Sequence, residues 1–157
     1  MTGGNMGDRE QYLAMAREMI TRECGEVTKA SSLYETAAWG KTDQPAFLNQ
    51  ALEIKTTLNA KQLIRHILKV EKKMGRAREE KYGARIIDID ILLFNNEIHK
   101  TPFLEIPHPE MQNRRFVLVP LAEIAPGAVH PALFKTVAEL LIDCPDRLEV
   151  KKVKDEK

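Results

Sequence analysis

The chain has 157 residues, 43% of them hydrophobic and 30% charged, with a formal net charge of +1. That length fits one domain able to enclose a core, and the near-neutral charge gives no general pull on nucleic acid. No apolar run approaches the roughly 18 residues of a spanning helix, and no signal-like opening precedes a small-residue cleavage site, so no membrane association is expected and the cytoplasm is the expected compartment. Cys24 and Cys144 have no partners at metal-ligand spacing; a zinc knuckle is excluded, while a bridge between them stays open.

In chain order, Asp8 followed by Gln11 resembles a capping box, and Leu13, Ala16 and Ile20 make an apolar stripe, which predicts a first helix ending at Gly25. Val27 to Tyr34 reads as a strand and Thr36 to Pro45 as a loop. Leu48, Leu52, Ile54 and Leu58 then share the even face of a second strand, whose odd face carries Phe47, Asn49, Glu53 and Lys55. Asn59 with Gln62 caps a second helix in which Leu63, Ile67, Val70 and Met74 follow 3–4 spacing, and Gly75 stops it.

Arg76 to Gly83 reads as a charged loop, Ile86 to Phe94 as a strand, and Asn95-Asn96 as a hairpin turn into Glu97-Ile98-His99. Pro107-His108-Pro109 sets an extended segment, and the aliphatic run from Phe116 to Leu121 is interrupted by Pro120. Thr136 and Glu139 predict the cap of a short helix through Leu141, with an edge strand over Leu148 to Val153. Residues 151–157, KKVKDEK, make a charged, solvated tail. No repeat or linker divides the chain, and the half-polar strands favour a single two-layer α+β sandwich over a sheet covered on both faces.

The stretch IIDIDILLF raises a chemical question, because an unpartnered buried carboxylate costs several kcal/mol. Strand periodicity aims Asp88 and Asp90 the same way, about 7 Å apart at the backbone. A divalent cation is the simplest means of holding both ionised, and magnesium suits an all-oxygen site completed by phosphates and water. The alternative is a pair on a wet strand face or beside lysines. From Lys69 to Arg85 there are seven basic residues against three acidic ones, so Arg76, Arg78, Lys81 and Arg85 directly precede the acidic pair. Guanidinium forks on a loop can close on a polyphosphate whose other oxygens a metal bridges. No GxxxxGK[ST], HRD or DFG stretch occurs, which excludes a P-loop and an ordinary protein kinase.

Other polar residues carry two readings each. Glu71 either orients Arg76 or forms a surface pair. His108, between prolines, either donates to a phosphate or is simply exposed. Arg114 and Arg115 anchor phosphate or cap a helix end. Asn49 and Phe47 suit a planar heteroaromatic ligand, although an asparagine satisfying loop backbone would look the same.

In order along the chain, GGNMGDR (3–9), SSLYET (31–36), DQPAFLNQA (43–51), Glu71 with GRAR, KYGAR and IIDIDILLF, and finally PHPEMQNRRFVLVPLAEIAP resemble the motifs of the 6-hydroxymethyl-7,8-dihydropterin pyrophosphokinase family. The resemblance covers nearly the whole chain. It implies a ferredoxin-like α+β fold that transfers pyrophosphate from ATP to the 6-hydroxymethyl group of a reduced pterin, with AMP as the other product, in folate biosynthesis. By the same resemblance Asp88 and Asp90 correspond to ligands of two Mg2+ ions. Arg76 and Arg78 belong to a catalytic loop closing over ATP, and Arg85 matches an arginine on the phosphates. His108 and Arg114 match further phosphate-side contacts, and Glu71 a residue near the ATP site. Thr36, Trp39, Phe47, Asn49 and Phe116 fall at the pterin pocket, with Phe47 and Phe116 bracketing the ring. A monomer is expected, alone or beside other folate-pathway domains.

The chain departs from the family pattern in three places. Lys81 and Tyr82 stand where many relatives have arginine and tryptophan, which leaves a point charge without the bidentate fork. Trp39 replaces an aliphatic residue and Ala37-Ala38 replace prolines, so the pterin-side loop is expected to be less rigid. Members also carry an apolar strand before the glycine motif, central in the sheet, whereas this sequence begins with at most its last residues; the expectation is an internal start in a longer protein. Two rival classes are a ligand-binding module without chemistry, which needs no acidic pair, and a nucleic-acid-binding domain, whose phosphate backbone the aspartates would repel.

Overall fold

The structure, a computed structural model, describes residues 1–37, 45–75 and 86–153. In chain order its elements are β1 (Thr2–Gly4), α1 (Arg9–Glu23), β2 (Glu26–Ala30), β3 (Tyr34–Thr36), β4 (Phe47–Gln50), β5 (Leu52–Lys55), α2 (Ala60–Lys73), β6 (Asp88–Ile89), β7 (His99–Thr101), β8 (Leu104–Ile106), α3 (Arg115–Ile124), α4 (Val137–Asp143) and β9 (Lys151–Lys152). A single 3-10 turn, Met111–Asn113, precedes α3.

Local chemistry explains three of the helices. Asp8 accepts from the Gln11 N–H at 3.1 Å to start α1, and Leu13, Ala16 and Ile20 are its buried stripe. Asn59 and Gln62 form both halves of a capping box on α2, at 2.8 and 2.9 Å, and Gly75 follows with a φ of 82° that an L side chain rarely adopts. Thr136 and Glu139 do the same for α4, at 3.0 and 3.1 Å. Each such cap is worth about 1 kcal/mol.

The sheet pairs β6-β1-β4-β3-β9 in that order, and every pairing among the described strands is antiparallel. β1 holds an interior place between β4 and β6 with three residues. Met1 lengthens its ladder by one rung, exchanging backbone hydrogen bonds with Asp90 at 3.0 and 2.9 Å. The strand expected over Val27–Tyr34 divides in two: β2 pairs with β5, β3 with β4, and Ser31 bonds Ala51 at the break.

The single strand expected through Leu48, Leu52, Ile54 and Leu58 breaks at Ala51 into β4 and β5, which pair in different sheets. Four further expectations need correction. The strand foreseen over Ile86–Phe94 is paired only around Asp88–Asp90, because β1 with Met1 offers ladder partners to those residues alone. Asn95-Asn96 does turn the chain, yet the hairpin lies further on, where His99–Thr101 pairs with Leu104–Ile106 around Pro102-Phe103. Pro120 does not interrupt its segment: α3 runs through it, since burying Val117, Leu118, Pro120 and Leu121 outweighs one lost backbone bond.

The fourth concerns layering. One core cluster joins Leu13, Ile20, Ile67 and Val70 of α1 and α2 to Leu48 and Ile89 of the sheet, as a two-layer sandwich requires. A second cluster, built on Val117, Leu118 and Leu121 of α3 with Val137 and Leu140 of α4, lies on the opposite face. The α+β class stands, with helices on both faces. Cys24 and Cys144 are buried in different clusters and free, so no bridge joins them. Among the described residues no helix is long and apolar enough to cross a membrane.

Candidate active site

Register builds the site from three neighbouring strands. Gly3 stands opposite Asn49 on one side and opposite Asp88 on the other. Residues directly opposite share a face, so Asn49, Gly3 and Asp88 form one row, which Tyr34, opposite Asn49, continues onto β3. Two pairs along, and so on the same face, Thr36 stands opposite Phe47. Leu48, Ile87 and Ile89 point the other way, into the core beneath α1 and α2. The row therefore faces α3, and Tyr34 Oη donates to the Glu123 carboxylate of that helix at 2.7 Å.

At the sheet edge, Asp88 is half-buried and Asp90 exposed on this same face. Asp90 turns its backbone groups toward Met1, so the N–H of the intervening Ile89 points away from the ladder. Glu71 receives it: this glutamate is 3% exposed, and its Oε2 accepts from Ile89 N at 2.9 Å. Glu71 is therefore no surface residue, and its clearest task is to hold the edge strand between the two aspartates. Helical spacing hides this, because the partner is a backbone amide 18 residues away.

His108 is not simply exposed. Its N–H donates to Leu92 O at 3.0 Å, and its Nδ1 accepts from Glu110 N at 3.3 Å, which makes Nε2 the donor of the neutral ring. Burial pushes its pKa below the usual 6.5; the charge of Asp90 pulls it back up and that of Arg114 depresses it further, which places all three in one electrostatic neighbourhood. Arg114 stands at the start of α3 with its guanidinium 5.9 Å from the centre of the Phe116 ring, within cation–π range. Register brings together Thr36, Phe47 and Asn49, while Asp90, whose charge acts on His108 together with that of Arg114, shares its strand face with Asp88. Trp39, Arg76, Arg78 and Arg85 lie outside the described residues.

Two further features of the glycine-rich opening contribute. Asn5 Nδ2 donates to Pro45 O at 3.1 Å, and Arg9 donates to Ala46 O at 2.9 Å while pairing with Glu35 at 2.8 Å. Asn5 and Arg9 thereby tie Glu35, Pro45 and Ala46 together. The buried Thr36 hydroxyl finds no partner among the described residues, which is rare for a group 4% exposed and leaves it available to a ligand.

The donor set suits magnesium. It offers two carboxylates on one face at the sheet edge, Asp88 half-buried and Asp90 exposed. Magnesium, which keeps waters and shares its shell with phosphates, fits such an edge. A larger cavity of about 650 Å³ lies beside β5 and residues 89–96, but it is mostly apolar and reaches the site residues only at Asp90.

Comparison with known proteins gives the family. Residues 1–126 match the family model for 7,8-dihydro-6-hydroxymethylpterin-pyrophosphokinase (HPPK). The 2-amino-4-hydroxy-6-hydroxymethyldihydropteridine pyrophosphokinase of Aquifex aeolicus is 44% identical over 137 residues, covering 87% of this chain and 85% of its own. The Bacillus subtilis protein of the same name is 50% identical over 123 residues, or 78% of this chain and 74% of its own. A crystal structure of Plasmodium falciparum HPPK-DHPS superposes with a TM-score of 0.69 at 19% identity, covering 90% of this chain and 40% of that one, a likeness of fold. The family model and the two bacterial relatives define the class, a kinase-type transferase. The chain belongs to the HPPK family, the pyrophosphokinases of folate biosynthesis.

Proposed function

We propose that the chain transfers a pyrophosphoryl group from ATP to the 6-hydroxymethyl group of 6-hydroxymethyl-7,8-dihydropterin, giving AMP and the pterin diphosphate. The observation that carries this reading is the row across β4, β1 and β6, in which a carboxamide suited to a heteroaromatic ring and a carboxylate suited to magnesium flank a single strand. The names of the two bacterial relatives supply the pterin.

In the reaction the substrate's hydroxyl oxygen attacks the β-phosphorus of ATP. The bond from that phosphorus to the oxygen bridging to the α-phosphate breaks, AMP departs in line, and the hydroxyl proton passes to solvent. Asn49 and Thr36 hydrogen-bond the polar edge of the ring, Phe47 and Phe116 stack on its faces, and Trp39 closes that side. Asp88 and Asp90 would hold two Mg2+ ions, which would supply positive charge to the triphosphate and lower the proton affinity of the attacking hydroxyl. Glu71 keeps the aspartate strand in place. Arg76, Arg78 and Arg85 take the phosphate oxygens with paired N–H groups as charge moves toward the leaving AMP. His108 donates from Nε2 to a phosphate oxygen, and Arg114 adds a second donor there.

Incubating the protein with magnesium, ATP and the reduced pterin should yield AMP and pterin diphosphate in equal amounts. Release of ADP instead would assign single phosphoryl transfer and refute the proposal.

A further inference from the structure

Gly3 is flanked by the two halves of the site, opposite Asn49 and opposite Asp88. Its backbone does not lie in the left-handed region, so glycine is not required there for conformation. Space is the reason. A Cβ built on Gly3 would lie 2.1 Å from Asn49 Oδ1 and 3.2 Å from Asn49 Cγ, while the nearest backbone atom, Leu48 O, is 3.4 Å away. The Asn49 carboxamide therefore crosses over the bare Cα of β1, toward the strand that carries Asp88. Asn49 is 5% exposed, so its amide lies inside the protein and not in solvent.

We propose that Gly3 is a positioning residue, whose missing side chain lets the Asn49 amide lie across β1 and so fixes how far the bound ring stands from the magnesium edge. The assignment rests on the pyrophosphokinase reading above. The adjacent strands are spaced about 5 Å apart, so ring recognition and phosphate chemistry are separated by about two such spacings, with Gly3 as the floor between them. Gly3 touches no reacting atom; it acts through Asn49. The clash from an added methyl falls on the far end of a rotatable side chain, so the sheet should survive while the amide swings away.

The test is a double-mutant cycle of Gly3→Ala and Asn49→Ala, reading affinity for the reduced pterin and, separately, for a non-hydrolysable ATP analogue with magnesium. Gly3→Ala should weaken pterin binding at least tenfold and leave nucleotide binding within twofold. On the Asn49→Ala background, where the crowded amide is gone, the same change should alter pterin binding less than twofold. Should Gly3→Ala alone fail to fold, the double variant should fold and melt above it, because the same clash is relieved. Unchanged pterin affinity in Gly3→Ala, equal loss of nucleotide affinity, or additive effects in the cycle would overturn the assignment. A wild-type protein that binds no reduced pterin would overturn both this inference and the function it rests on, whereas wild-type binding with an additive cycle overturns this inference alone.

Discussion

Replacing Glu71 with leucine removes the acceptor for the Ile89 N–H at a position 3% exposed, and Ile89 sits between the two aspartates. A hydrogen bond to a charged acceptor contributes about 1.5–3 kcal/mol, and a buried donor left unpaired costs a similar amount. A local loss of about 2 kcal/mol corresponds to roughly a 30-fold rise in the open population of the edge, since about 1.4 kcal/mol is tenfold. Amide hydrogen exchange followed at Ile89 should therefore speed up by roughly that factor in Glu71→Leu, and the magnesium concentration for half-maximal turnover should rise with it. Glu71→Gln keeps a carbonyl acceptor and should restore most of the protection. If Ile89 exchanges equally slowly in the leucine variant, or if glutamine is as damaging as leucine, the edge is not held by this bond and the positional role assigned to Glu71 is wrong.

Asp88→Asn and Asp90→Asn should each leave pterin affinity within about twofold while cutting magnesium-dependent turnover by a factor of roughly 100 or more, the scale of losing one electrostatic stabiliser; steady-state assays over a metal series check this. Tyr34, pushed up to about 12 by burial and by its bond to Glu123, stays protonated where the unfolded chain releases its proton near 10.0. Its contribution to stability is thus intact below pH 10 and lost as pH rises toward 12, and Glu123→Gln should flatten that fall in denaturation midpoints measured across the range. Leu118→Ala empties a fully buried place in the cluster behind α3 and should cost roughly 2–5 kcal/mol in urea unfolding, without changing the AMP-to-ADP product ratio.

Caps and helical stripes are interactions within a few residues, so Asp8, Asn59–Gln62 and Thr136–Glu139 announced α1, α2 and α4 in the sequence and the structure bears them out. The alternation in IIDIDILLF likewise told which side chains share a face: Ile87 and Ile89 are buried, and the aspartates are not. What alternation lacks is a partner. Whether Ile91 to Phe94 is strand depends on another segment lying alongside, and the 99–106 hairpin has little local signal beyond the two-residue spacing at Pro102-Phe103. The helix through Pro120 is hidden for a related reason, since the local cost of proline is visible in sequence while the burial that offsets it comes from α4 and the sheet.

The sequence alone determined the family, the helices α1, α2 and α4 and the acidic pair, because each is written in short spacings. Only the tertiary structure decided that Gly3 lies between Asn49 and Asp88, that Glu71 secures Ile89 and that α3 covers the second face of the sheet. Those relations join residues 18 or more positions apart, and they are set by strand pairing and by packing between elements, which spacing within a few residues does not encode.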